Sequence, residues 1–336
     1  MSKSKNSNSF KTSFINFVKK PIGKFVTSLF GTWAVLACIS LFLLYGPWNG
    51  FRDFMITSAM TTINHKHIAT IFFSEEAINK VMSNNSTSEI EAVTDTDSIN
   101  IDENSENELV LTEISKDGYK AWMLEIKDPS KVILGVSKYF GTKGQKMPYL
   151  LENYNAIAGI NAGGFGDANG YGNGGIPIGL VISEGEILHI PQKSYYNVVG
   201  FNKDNILVAG KYSRAELEQL NLRDAVEFTP FLVINGEQAE MTGNGGWGLA
   251  PRTAIGQRTD GTVVFVVVDG RSATSMGVTI KTLRDIMVEH GCYNAANLDG
   301  GSSTVLSYQD EIVNDPSGSD KDGMRFIPNA FIVLDE

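Results

Sequence analysis

Three hydropathy regimes follow one another along this chain of 336 residues. From Phe25 to Phe51 no residue is charged, and the stretch is apolar chiefly between Leu29 and Tyr45. A bilayer core about 30 Å thick is crossed by about 20 such residues in a helix, so this run predicts one transmembrane segment. From Asn84 to Glu108 the pattern inverts to eight acids with no Lys, Arg or aromatic residue. Such a segment buries too little apolar surface to offset its ordering entropy, and it reads as a disordered acidic stalk. Beyond Leu109, short apolar runs alternate with clusters of Gly, Asn, Ser and Asp, the signature of strands and turns.

In that last regime the pattern predicts strands at Leu109–Ile114, Ala121–Ile126, Val132–Val136, Ile157–Ile160, Ile176–Ile182, Val198–Phe201, Ile206–Val208, Ala295–Leu298 and Phe331–Leu334. Val263–Val268 is apolar throughout and rich in β-branched residues, which predicts a strand covered on both faces. A short helix is expected over Met147–Tyr154. A second should start at the capping box Ser213-Arg214-Ala215-Glu216 and run to about Leu222. Ile280, Leu283, Ile286 and Met287 recur at helical spacing between Thr279 and His290, with Gly291 as the stop. Strands outnumber helices without regular βαβ alternation, so the expected fold class is α+β: β-rich mixed sheets with a few packed helices.

Charge gives the chain a direction. Six of the 28 basic residues precede Phe25, leaving 22 against 38 acids in the remainder. Lysines stay on the cytoplasmic side, so residues 1–24 read as a cytoplasmic basic tail and residues 25–46 as a signal anchor. The competing reading, a cleaved signal peptide, lacks an Ala-x-Ala-like site where Leu44-Tyr45-Gly46-Pro47-Trp48 stands. Residues 47–83 read as a membrane-proximal helical collar that lies on lipid or pairs with a second copy. Residues 84–108 read as the stalk and residues 109–336 as one outer domain, expected outside the cell membrane. The acidic excess argues against nucleic acid as a partner. Cys38 falls in the apolar run and Cys292 in the outer domain, so they are not expected to pair, and Cys292 reads as a small buried residue rather than a nucleophile.

Chemistry-bearing residues cluster in four segments at the ends of β-rich runs: Asn161-Ala162-Gly163-Gly164-Phe165, Pro251-Arg252-Thr253-Ala254-Ile255-Gly256, Asp269-Gly270-Arg271 and Asn297-Leu298-Asp299-Gly300-Gly301-Ser302-Ser303. Two further stretches, beginning at Gly170 and Gly243, match G-x-G-x-x-G. Extended residues follow each, whereas a dinucleotide site needs a helix start there. They read instead as flexible loops or as a rim that lets a sugar approach backbone. No histidine has a partner at zinc-ligand spacing, and there is no G-x-S-x-G elbow. His290 reads as a cap for helix carbonyls. Asp315–Gly323 offers oxygen ligands for calcium but lacks the terminal glutamate of an EF-hand, and reads as a solvated turn. Neither a metal nor an organic cofactor is expected.

The order and content of the four segments resemble the phosphodiester glycosidase family, over roughly Leu109 to Glu336. That family usually reads Asn-Gly-Gly-Phe-Phe and Asp-Gly-Gly-Gly-Ser; here Ala162 and Ser302 each stand where it has a glycine, and Gly166 where it has a phenylalanine. These departures bear on substrate fit. The resemblance implies hydrolysis at the anomeric carbon of a sugar-1-phosphodiester. Such a reaction needs a cationic clamp for the phosphate and a carboxylate that attacks, activates water or stabilises an oxocarbenium-like centre. The catalytic candidates are Asp299 and Asp269 as carboxylates, and Arg252 and Arg271 as the clamp. A structural turn at Asp269 and an ordinary ion pair at Arg252 are the competing readings. Substrate binding falls to Asn161, Gly163, Gly164, Thr253, Gly300, Gly301, Ser302 and Ser303. The expected substrate is a sugar-phosphate glycopolymer of the envelope; a non-catalytic glycopolymer-binding protein and a phosphodiesterase cutting P–O are the alternatives.

Overall fold

The computed structural model describes residues 21–62, 66–101, 108–166 and 172–335, so most of the basic tail lies outside the described residues. The chain divides into two compact units, Met1–Met55 and Ile56–Glu336. In the first, a helix spans Pro21–Tyr45. Its 22 residues from Lys24 to Tyr45 have a mean hydropathy of 2.0, and at 1.5 Å per residue they extend about 33 Å, enough to cross a bilayer. The interval read as a collar is helical, with helices at Asn49–Met60, Lys66–Phe72 and Glu75–Asn84.

The second unit is α+β, built on two central sheets. A seven-stranded sheet runs in the order Glu237–Gln238, Phe231–Ile234, Asn294–Asn297, Arg252–Gln257, Val263–Val268, Ala121–Ile126, Leu109–Glu113. A five-stranded sheet runs Glu311–Ile312, Leu306–Tyr308, Ala156–Asn161, Asn329–Leu334, Val132–Val136. A third sheet holds Glu186–His189, Val181–Ser183, Leu222–Glu227, Tyr195–Asn202 and Leu207–Ser213. Strand directions are simpler than the mixed sheets expected. Every pairing among the described strands is antiparallel, because no crossover helix returns the chain to a parallel neighbour.

Alternation along Val263–Val268 explains how the layers join. Val263, Phe265 and Val267 enter the core shared with the other sheets, among them Leu134, Ile160, Phe201 and Phe331. Val264, Val266 and Val268 point the other way, under the helix Ile280–Glu289, into a core with Ile280, Leu283, Ile286 and Met287. The strand is therefore covered on both faces, as its composition predicts. The helix is N-capped by Thr279, whose hydroxyl accepts from the Thr282 N–H at 3.1 Å, and it stops where Gly291 takes φ +75°.

Two expectations fail locally. The capping box at Ser213 forms in both directions, yet its helix ends at Leu217 and Leu222 opens a strand instead. Of Ile176–Ile182, only the last two residues are in the strand Val181–Ser183. The acidic segment is the larger departure. Over its described residues, 84–101, it is not a free stalk but a strap laid on the domain. Ile90 and Ile99 are buried, the Thr94 N–H and hydroxyl both bond the Ala209 carbonyl at 3.1 Å, and the Asn100 N–H reaches the Thr259 carbonyl at 2.8 Å. Two isolated isoleucines give the strap just enough apolar surface to anchor it, and its acids face water.

Candidate active site

Strand ends bring the four segments together. Arg252 opens its strand opposite Val268, the last residue of the neighbouring strand, and on the other side Ala254 faces Asn297, where a third strand ends. Asn161, the last residue of its strand in the five-stranded sheet, completes the set. Its buried amide donates to the Asp299 carbonyl at 2.6 Å and accepts from the Thr253 hydroxyl at 2.7 Å and the Val305 N–H at 3.1 Å. The Asp299 N–H in turn bonds the Ala162 carbonyl at 3.0 Å. The backbone of Asp299 is thus pinned on both sides while the residue stays half-buried. Asn161 and Thr253 are 1 % and 0 % exposed, and the contacts they make here hold the Asp299 turn.

The turn after Asp299 packs against the strand that carries Arg252. The Gly301 N–H bonds the Pro251 carbonyl at 2.9 Å, and Gly301 takes φ +63° with the Arg271 guanidinium 3.0 Å from where a Cβ would sit. Ser302 accepts a hydrogen bond from Arg271 Nη1 at 2.8 Å. The serine that departs from the family pattern is therefore the group that holds one of the arginines. Arg271 itself adopts φ +62°, a left-handed conformation that disfavours a side chain and is kept where the surroundings demand it. Gly300 and Ser302 are half-exposed at this surface, and Ser303 is buried.

Arg252 is 4 % exposed. It donates from Nε to the Val278 carbonyl at 3.3 Å and from Nη2 to the carbonyls of Trp247 and Gly248 at 2.7 and 3.0 Å, and it lies 5.6 Å from the Trp247 ring centroid. It has no carboxylate partner among the described residues, so the ordinary ion pair is not its role. Burial first, and the charge of Arg271 second, lower its pKa to about 10, which leaves it cationic at neutral pH. The pKa of Arg271 is lowered as well, by burial and then by Arg325. Like charges so placed make a cradle for an anion.

Arg325 was not among the sequence candidates. It stands over the Phe165 ring at 4.8 Å and donates to the Gly172 carbonyl at 3.3 Å. It sits just ahead of a strand, Asn329–Leu334, as Arg252 opens one, and that position was the available signal. Asn329 was missed too: its Oδ1 accepts from the Gly163 N–H at 2.8 Å, which occupies that donor and makes Gly163 a packing residue. Gly164 remains half-exposed.

Asp269 is 3 % exposed and acts mainly as a tether. Its Oδ1 accepts from Asn314 Nδ2 at 3.1 Å and the Asp315 N–H at 2.9 Å, and burial raises its pKa. Cys292 is buried, its pKa pushed up to about 12, as befits a packing residue. In the Asp315–Gly323 loop, Asp320 and Asp322 both contact Lys146 Nζ at 2.8 Å, so a protein ammonium already meets those carboxylates. Of the two glycine-rich stretches, Gly170 and Tyr171 lie outside the described residues, while Trp247 and Gly248 in the other supply carbonyls to Arg252.

Residues 154–334 match the model of the phosphodiester glycosidase family. An uncharacterized SPbeta prophage-derived protein, YomE, of Bacillus subtilis is 30% identical over 200 residues, which make up 56% of this chain and 30% of that protein. The chain thus spans less than a third of that relative's length. Among solved structures, the catalytic domain of zebrafish N-acetylglucosamine-1-phosphodiester alpha-N-acetylglucosaminidase, auto-inhibited by its pro-peptide, aligns with a TM-score of 0.58 at 18% identity over 71% of this chain and 87% of that one. This likeness concerns the fold. A putative exported protein of Burkholderia pseudomallei aligns with a TM-score of 0.48 at 16% identity over 64% of this chain and 74% of that one.

Proposed function

The chain belongs to the phosphodiester glycosidase family, and from that premise we propose that it is a membrane-anchored, extracytoplasmic hydrolase that cleaves the glycosidic C–O bond of sugar-1-phosphodiesters in envelope or exopolysaccharide glycopolymers. One observation carries the reading. Arg252 and Arg271, neither with a carboxylate partner among the described residues, converge beside the Asp299 turn with Arg325 in electrostatic reach. A buried cation without a counter-ion is costly, and an anionic substrate supplies the missing charge.

In this reading the phosphate lies on the guanidiniums and the anomeric carbon faces Asp299. The carboxylate attacks, activates water or stabilises the oxocarbenium-like centre as the bond to phosphate oxygen breaks. The leaving group is a phosphate monoester, a weak base that departs without much protonation, so a strong general acid is not required. Asn161 and Thr253 hold the turn so that the carboxylate need not reorganise during the reaction.

Product identity tests the proposal. The full chain, incubated with an N-acetylglucosamine-1-phosphodiester, is expected to release free sugar, and Asp299→Asn to lower turnover by several orders of magnitude with near-native binding and melting. Release of sugar-1-phosphate would identify a phosphodiesterase. Binding without turnover would identify a glycopolymer-binding protein. Full activity of Asp299→Asn would move the catalytic carboxylate elsewhere.

A further inference from the structure

Two of the three carbonyls that hold Arg252 belong to Trp247 and Gly248, so whatever fixes the loop Gly243–Gly248 also fixes the guanidinium. The loop's own sequence does not fix it. Four of its six residues are glycines, at φ +55°, +77°, +85° and +54°, and glycine loses more freedom on ordering than any other residue. Its order comes from side chains elsewhere, chiefly through Asn244. The Asn244 Oδ1 accepts from the Gly246 N–H at 2.8 Å, its N–H donates to Asn85 Oδ1 at 3.0 Å, and its Nδ2 donates to the Thr57 hydroxyl at 2.9 Å. The Thr87 hydroxyl adds a bond to the Gly245 carbonyl at 2.9 Å.

Thr57 stands in the last turn of the helix Asn49–Met60, within the second compact unit, and is 0 % exposed. Its neighbour Ser58 lies directly under Gly248: a Cβ there would come within 2.2 Å of the Ser58 Oγ and 3.0 Å of its backbone nitrogen. The helix end therefore touches the loop twice, at the asparagine that organises it and at the glycine whose carbonyl meets Arg252. Packing alone would be served as well by valine, which has the shape of threonine; the buried hydroxyl is what joins Thr57 to Asn244. Resting on the hydrolase reading above, we propose that Thr57 and Asn244 are positioning residues. Together they set the Gly243–Gly248 loop so that the Trp247 and Gly248 carbonyls aim the Arg252 guanidinium before substrate arrives. A cation oriented in advance need not reorganise when the phosphate binds. The end of the segment read as a collar is then part of the support of the active site.

A double-mutant cycle on the full chain in detergent micelles tests this, with the methyl ester of N-acetylglucosamine-1-phosphate as substrate. Thr57→Val should lower kcat/KM about tenfold, the loss expected from one buried hydrogen bond, and Thr57→Ser, which keeps the hydroxyl, should restore it. In an Arg252→Ala background Thr57→Val should cost nothing further, because the carbonyls then have no guanidinium to aim. Losses that multiply in the double variant, or parent-like activity of Thr57→Val, would overturn the proposal. Should Thr57→Val not fold, Asn244→Ala cuts the same bond from the loop side and gives the same cycle. If the parent turns over no ester, the hydrolase reading fails on its own, and the linkage is read without substrate from chain labelled with 5-fluorotryptophan. The fluorine resonance of Trp247, assigned through Trp247→Phe, should move in Thr57→Val and return in Thr57→Ser. A resonance that stays put would refute the linkage.

Discussion

Arg252 shows how the site works at the scale of one residue. Its guanidinium is buried against three carbonyls and an indole, partners that satisfy hydrogen bonds and leave the charge uncompensated. In the proposed function, that charge is what meets the substrate phosphate. Replacing Arg252 or Arg271 with Ala should weaken phosphodiester substrates roughly 10- to 150-fold, the loss of a charged hydrogen bond at about 1.5–3 kcal/mol, while neutral α-glycosides of the same sugar lose much less. Kinetics on the two substrate classes decide it, and equal losses would reduce these arginines to scaffolding. Asp269 carries a different prediction. Its folded pKa is raised by burial, so its contribution to stability is fully present below the unfolded aspartate pKa of about 3.9 and is lost as pH rises through the folded value. Asp269→Asn keeps an Oδ1 for Asn314 and Asp315 and removes the buried charge. Its melting temperature relative to the parent should therefore rise between acid and neutral pH. A relative stability independent of pH would contradict the raised pKa of Asp269.

Among the elements, those whose faces are fixed by burial were legible in the sequence. Val263–Val268, Ala121–Ile126, Val132–Val136 and Met147–Tyr154 lie where apolar pattern predicts them, because each sits between two cores or under one. Leu222–Glu227 was not legible: Leu222 read as the end of a helix, yet pairing to both Val181–Ser183 and Tyr195–Asn202 overrides local preference. The strap was hidden for a similar reason, since composition averages over the two isoleucines that anchor it. Within the site, the turn at Asp299 and two of the arginines could be found from sequence. The roles of Asn161 and Thr253 as positioners, and the approach of Arg325, required the packing of strands far apart along the chain. A domain begun at residue 105 loses the strap and should suffer for it. Uncovering the Ile90 and Ile99 sites costs about 1.5–3 kcal/mol each, so this fragment should melt at least about 6 °C below residues 56–336. Coincident melting curves would show that the strap adds nothing.

At the scale of the molecule, the proposed function requires the second unit to lie outside the cell; the helix Lys24–Tyr45 is long and apolar enough to anchor it, and the lysines before that helix predict the orientation. Protease added to intact cells should remove a C-terminal epitope, and a protected C-terminus would overturn both the topology and the substrate class. The account as a whole rests on which bond breaks. Hydrolysis of the methyl ester of N-acetylglucosamine-1-phosphate by the full chain in oxygen-18 water, followed by mass spectrometry of both products, measures that directly. Attack at the anomeric carbon predicts the label in the sugar and none in the methyl phosphate. Label in the phosphate product would mean that phosphorus is attacked, and the role assigned here to the Asp299 turn would be wrong.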